Sequence, residues 1–139
     1  MNEYTFNEIS VGLTASFDRK VTAEMEEMFR NITGDENPLH KDDAYACEVG
    51  QKSHVTFGML TASLCSTLAG MYLPGKYSMI HSLEKLSFRS PVYVGDTLSV
   101  SGEVVDKEEN LHLLMIAVTI KNQNYKCVCR AKMKVLVLK

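Results

Sequence analysis

Between Val55 and Gly75 there is not one Asp, Glu, Lys or Arg. A helix laid on this stretch has apolar residues on every side, with Gly, Ala, Ser and Thr in the gaps. Such a helix is either buried in a protein core or set in a membrane. Its length would allow a span. Thr61, Ser63, Ser66, Thr67, Gly70, Pro74 and Gly75, however, make it a poor lipid-facing segment. The expectation is a buried central helix and no membrane. A chain of 139 residues has room for one domain, residues 1–139, around that helix.

What can wrap such a helix is written in the last sixty residues, where the period changes to two. Leu98, Val100, Gly102 and Val104 alternate with Thr97, Ser99, Ser101 and Glu103. His112, Leu114, Ile116, Val118 and Ile120 form one face of the next run. Cys127, Cys129, Ala131, Met133 and Val135 alternate with Lys126, Val128, Arg130, Lys132 and Lys134. Alternation of this kind marks half-buried antiparallel strands. Turns are expected at Gly95-Asp96, Lys107 to Asn110, and Asn122 to Asn124. Met79 to Val94 reads as a further strand with Pro91 at a bend. The fold class is therefore α+β: a curved antiparallel sheet around one long helix, the hot-dog arrangement. The open sheet edge and the helix's surplus apolar surface predict a homodimer or higher homo-oligomer.

The first third is mixed. Leu13 to Arg19 reads as a short strand. Thr22 is an N-cap, with Glu24 and Glu26 in the first turn, where the helix dipole favours acids. Met25, Met28, Phe29 and Ile32 follow helical spacing, and the helix should stop near Gly34. Pro38 can start a new turn with Asn37 as its cap, and a short helix through Asp42 to Ala46 follows.

A net charge of −2 with no basic stripe argues against a nucleic-acid partner. The N-terminus lacks the basic and apolar regions of a signal peptide. Cys47, Cys65, Cys127 and Cys129 then read as reduced structural thiols, and the expected location is cytoplasmic. No ligand cluster or phosphate-binding glycine loop appears, so neither a metal nor a separate cofactor is expected.

Asp35 and His40 carry the chemistry. A carboxylate and an imidazole are the usual pair for acid-base work near neutral pH, and across a proline-started turn both could reach one water. By spacing alone, Asp35 could equally cap a helix and His40 lie idle at the surface.

The run Phe29-Arg30-Asn31-Ile32-Thr33-Gly34-Asp35-Glu36-Asn37-Pro38-Leu39-His40, with Ala46 beyond, resembles the signature of the MaoC-like, (R)-specific enoyl-CoA hydratase family. Gly58-Met59-Leu60-Thr61-Ala62-Ser63-Leu64 and Leu86 to Asp96 are similar to the same family, in the same order. The resemblance implies that Asp35 and His40 bind the catalytic water. They would add hydroxide to C3 and a proton to C2 of a trans-2-enoyl thioester, with an (R)-3-hydroxyacyl thioester as product. It implies that Asn37 positions the loop and that the Gly58 N–H faces the thioester oxygen. That oxygen gains charge during addition, and a helix-start N–H is a preorganised donor for it. Ser63 is a further candidate for the substrate pocket, although a helical serine often bonds its own backbone. Coenzyme A, or an acyl carrier protein, enters only as part of the substrate.

One position departs from the pattern: many family members have His before the glycine, where this chain has Phe57, with His54 three residues earlier. Three other readings stay open: a dehydratase of acyl carrier protein thioesters, a hot-dog thioesterase, and a non-catalytic acyl-binding subunit.

Overall fold

The computed structural model describes residues 1–139. Five strands form one antiparallel sheet: β1 (Thr14–Lys20), β2 (Ser78–Phe88), β3 (Thr97–Glu108), β4 (Leu113–Lys121) and β5 (Cys127–Val137). Their order across the sheet is β1-β3-β4-β5-β2, which leaves β1 and β2 as edges. Three helices, α1 (Ala23–Thr33), α2 (Asp43–Glu48) and α3 (Gly58–Thr67), lie between β1 and β2 in sequence. The α+β hot-dog arrangement expected from the alternation is the one observed.

The uncharged stretch forms the central helix, but not over its whole length. Val55 to Phe57 are extended, α3 begins at Gly58, and the last part, Leu68–Tyr72, is a π-helical turn. Leu64, Cys65, Leu68 and Ala69 on the helix share one core with Leu98, Val100 and Val104 of β3, Leu114, Ile116, Val118 and Ile120 of β4, and Met133 and Val135 of β5. The alternation is satisfied because one face of each strand turns toward this helix. At Gly102 helix and sheet approach closely. A Cβ there would lie 2.7 Å from a Leu68 methyl and 3.0 Å from one of Ile116. Only glycine leaves that space. Burial pushes the Cys65 thiol up to about 11, so it stays protonated and acts as a small apolar filler.

Thr22 caps α1 as expected, its Oγ1 accepting from the Met25 N–H at 3.2 Å, and Gly34 ends it at φ +72°. Its apolar face is only partly covered, however: Met25 and Phe29 are half-buried, Met28 and Ile32 are exposed, and Glu26 is the buried residue of the helix. Periodicity locates a helix face without saying how much of it the chain covers.

Three other expectations shift. The strand expected through Val94 ends at Phe88. The Arg89 N–H still donates to the Val128 carbonyl, Pro91 then has no N–H to give, and the Val92 carbonyl accepts instead from Thr56. The turn expected at Lys107 to Asn110 lies later, because Lys107 remains in β3 and its Nζ donates to the Phe6 and Ile9 carbonyls. His112 is accordingly in that turn rather than in a strand, at φ +49° and stacked on the Phe6 ring.

Candidate active site

The segment after α1 is a chain of small side-chain caps. The Asp35 Oδ1 accepts from the Asn37 N–H at 3.0 Å, and the Asn37 Oδ1 accepts from the Leu39 N–H at 2.9 Å. Pro38 opens a 3-10 turn, Pro38–His40, with Asn37 as its cap, as expected. Asp42 then caps α2 through the Tyr45 N–H. Glu36 and Lys41 pair across the turn, and that hydrogen bond holds the Glu36 carboxyl below its ordinary value.

This turn delivers His40 to a cavity of about 350 Å³. The His40 Nδ1 lies 2.7 Å from the Val55 carbonyl oxygen. A carbonyl can only accept, so the proton of the neutral ring sits on Nδ1 and Nε2 keeps its lone pair. The ring face rests on Phe57, with centroids 4.2 Å apart, and Phe57 in turn meets Phe29. Phe57, the departure from the family pattern, is thus a buried buttress beneath His40. Arg30 of α1 adds a third hold, donating to the His40 backbone carbonyl at 3.3 Å.

Gly58 lines the same cavity as His40, and its N–H makes no hydrogen bond within the chain. A Cβ on Gly58 would stand 3.2 Å from the Phe88 ring, which also lines the cavity. The close approach explains the glycine. Asp35, Asn37 and Ser63 do not line the cavity and are exposed in this chain. The Ser63 hydroxyl donates to the Leu60 carbonyl of its own helix at 2.6 Å. The structure therefore brings His40 and Gly58 together. Asp35 and Asn37 stand on the turn that carries His40.

Two cavity residues have no signal in the sequence spacing. Thr56 and Thr61 line the cavity, are 3% and 2% exposed, and their hydroxyls have no partner. A third feature lies behind the cavity. Glu26 of α1 and Asp43 of α2 face the two nitrogens of His54, at 3.4 Å and 2.5 Å. The His54 backbone N–H and ring hold the Asp43 carboxyl below its ordinary value. No group of three or more His, Cys, Asp or Glu side chains is placed to hold a metal ion, and no helix is long and apolar enough to cross a membrane.

The family model described as "MaoC like domain" matches residues 7–124. The (R)-specific enoyl-CoA hydratase of Aeromonas caviae is 36% identical over 115 residues, which cover 83% of this chain and 85% of that protein. The 3-hydroxybutyryl-CoA dehydratase of Methylorubrum extorquens is 33% identical over 101 residues. That match covers 73% of this chain and 64% of that protein, so the chain spans just under two thirds of this relative. Among solved structures, the unliganded R-hydratase PhaJ1 from Pseudomonas aeruginosa superposes with a TM-score of 0.88 at 29% identity, covering 96% of this chain and 84% of that one.

Proposed function

This chain belongs to the MaoC-like domain family, and from that membership we propose that it is a hydro-lyase adding water to trans-2-enoyl-CoA. The product is (R)-3-hydroxyacyl-CoA, and the reverse reaction is dehydration. The observation that supports this most is one His40 ring pinned at Nδ1 by the Val55 carbonyl beside a Gly58 N–H without a partner, both on one cavity. A ring with a free Nε2 can take a proton from water, and a free N–H at a helix start can hold an oxygen that gains charge.

In this reading the thioester oxygen lies on the Gly58 N–H. Asp35 and His40 hold one water between them. As its oxygen bonds to C3, the water gives up a proton to this pair, the C2–C3 double bond opens toward C2, and the thioester oxygen takes up negative charge. C2 then receives a proton from the pair, so that one whole water has been added. Asn37 keeps the turn in shape through its cap of Leu39. The whole chain works as one domain, without a cofactor or metal beyond the coenzyme A of its substrate. It works in the cytoplasm, in keeping with four free thiols.

The test is loss of the enoyl-thioester absorbance of crotonyl-CoA, with chiral analysis of the product and a thiol reagent present. Accumulation of (R)-3-hydroxybutyryl-CoA is expected. Release of free coenzyme A would instead mean a thioesterase, and turnover restricted to carrier-protein thioesters would move the substrate class.

We further propose that the working form is a homodimer joined beside β2. This edge strand exposes Met79, Ile80, Leu83 and Phe88, and Met59 and Met71 of the central helix are also exposed. Large apolar side chains at an unpaired sheet edge call for a cover. Since Phe88 also lines the cavity, a second copy seated there would close the cavity from solvent. Light scattering at micromolar concentration should give about twice the 15.6 kDa of the chain. A folded monomer at that concentration would refute the dimer.

A further inference from the structure

Glu26 is the one fully buried residue of α1, at 3% exposure. Its Oε1 has no partner, and its Oε2 meets only His54. Burying a carboxylate is unfavourable, and a buried ion pair rarely repays the loss of hydration. An apolar residue would suit stability as well or better, so the geometry that Glu26 imposes is the better account of its place.

That geometry converges on Val55. His54 is gripped from both sides, by Glu26 at Nε2 and by Asp43 at Nδ1, and its backbone N–H also donates to the Asp43 Oδ1 at 2.9 Å. The next residue carries the carbonyl that takes the proton of His40. The segment around them belongs to no helix or strand, so its position depends on such ties. The Val55 N–H donates to the Leu39 carbonyl at 2.9 Å, and Thr56 ties the segment to Val92 at 2.8 Å. Without the His54 ring, the tie to α1 is lost and the tie to α2 is reduced to the backbone N–H.

We propose that Glu26, His54 and Asp43 form a positioning clamp that holds the Val55 carbonyl on His40 and so keeps the lone pair of Nε2 available to the cavity. None of the three touches substrate. They act through Val55, on one atom of the ring. This rests on the reading of His40 as the acid-base residue, yet its central claim concerns the ring in the resting protein. A histidine released from its carbonyl samples both tautomers, and half-populated tautomers mean fewer molecules with the correct base.

Imidazole 15N spectra of the whole chain, recorded at a pH where the ring is neutral and assigned with His40→Gln, report the tautomer directly. The native protein should show His40 with its proton on Nδ1 alone. Glu26→Leu, Asp43→Ala and His54→Ala should each give a mixed ring. His54→Ala removes both ring contacts and leaves only the backbone N–H on Asp43, while Glu26→Leu, an apolar residue of similar size at a buried position, guards against misfolding. In crotonyl-CoA turnover kcat should fall about 10- to 100-fold in His54→Ala, the range typical when outer partners orienting a metal-bound histidine are lost. KM should stay within about twofold, because uniform binding is untouched. An unchanged His40 tautomer in the folded variants would overturn the clamp, whatever happened to kcat. A mixed tautomer with unchanged kcat would overturn its role in turnover. If the native chain hydrated nothing, the spectra would still decide the clamp, and only the proposed activity would fall.

Discussion

Asp35→Asn and His40→Gln are each expected to lose most of the proposed hydratase activity, by about 10²- to 10⁴-fold, with the melting temperature hardly moved. The structure makes both substitutions mild. Asp35 is exposed, and what its side chain does within the chain is accept the Asn37 N–H through Oδ1. Asparagine can do the same, but it cannot take a proton at neutral pH. Glutamine at position 40 can still donate to the Val55 carbonyl, but it has no titratable ring. If both residues act on one water, as proposed, the losses should not add, and the double variant should be little worse than the worse single one. If Asp35 were only a turn-former and His40 an idle ring, all three variants would keep their activity. Steady-state kinetics on crotonyl-CoA, with a thermal melt of each protein, separates the outcomes. Full activity in either folded single variant would sink the mechanism.

The second large effect is expected at Gly58. Proline there should lower turnover by about 10²- to 10³-fold, the usual loss when one oxyanion donor is removed. The backbone is ready for it. Gly58 is the first residue of α3, where proline is tolerated, and Phe57 before it has φ −52° and ψ 123°, the extended form that precedes proline. The N–H that would be lost bonds to nothing in the chain, so the fold loses no hydrogen bond. The added ring atoms crowd Phe88, whose half-exposed side chain can give way. Gly58→Ala is the control, since its Cβ crowds the same ring while the N–H remains. Alanine should therefore retain far more activity than proline. Equal losses in the two would assign the effect to crowding, and no loss in proline would remove Gly58 as the donor.

Much of this protein is legible in its amino-acid sequence. A period of two is a direct record of which strand face meets the core, so β3, β4 and β5 can be read residue by residue, from Leu98 to Val135. The absence of charge from Val55 to Gly75 records the central helix in the same way, because no charge could be buried there unpaired. Local chemistry is equally readable: Thr22 and Gly34 bound α1, and Asn37 with Pro38 starts the turn that carries His40. Each of these depends on neighbours a few residues away. The G-D-x-N-P-x-H run and the family it resembles are likewise evident in the letters alone.

Tertiary structure decides whatever depends on distant segments meeting. The spacing of Met28 and Ile32 cannot say that no segment covers them, nor that Glu26, which reads as an ordinary first-turn acid, is buried against His54. Strand signals run past Phe88 because Val92 and Val94 are strand formers, yet the bond from Thr56 to Val92 draws that stretch away to wall the cavity. Phe57 reads as a missing histidine, and in the fold it is the surface on which His40 rests. The Val55 carbonyl that sets the tautomer of His40 is fifteen residues away in sequence, and a backbone carbonyl leaves no mark in an amino-acid alphabet. Sequence records side-chain type, and so it announces periodicity, caps and motifs. Which nitrogen of a histidine holds its proton depends on where another part of the backbone comes to rest, and only the folded chain determines that.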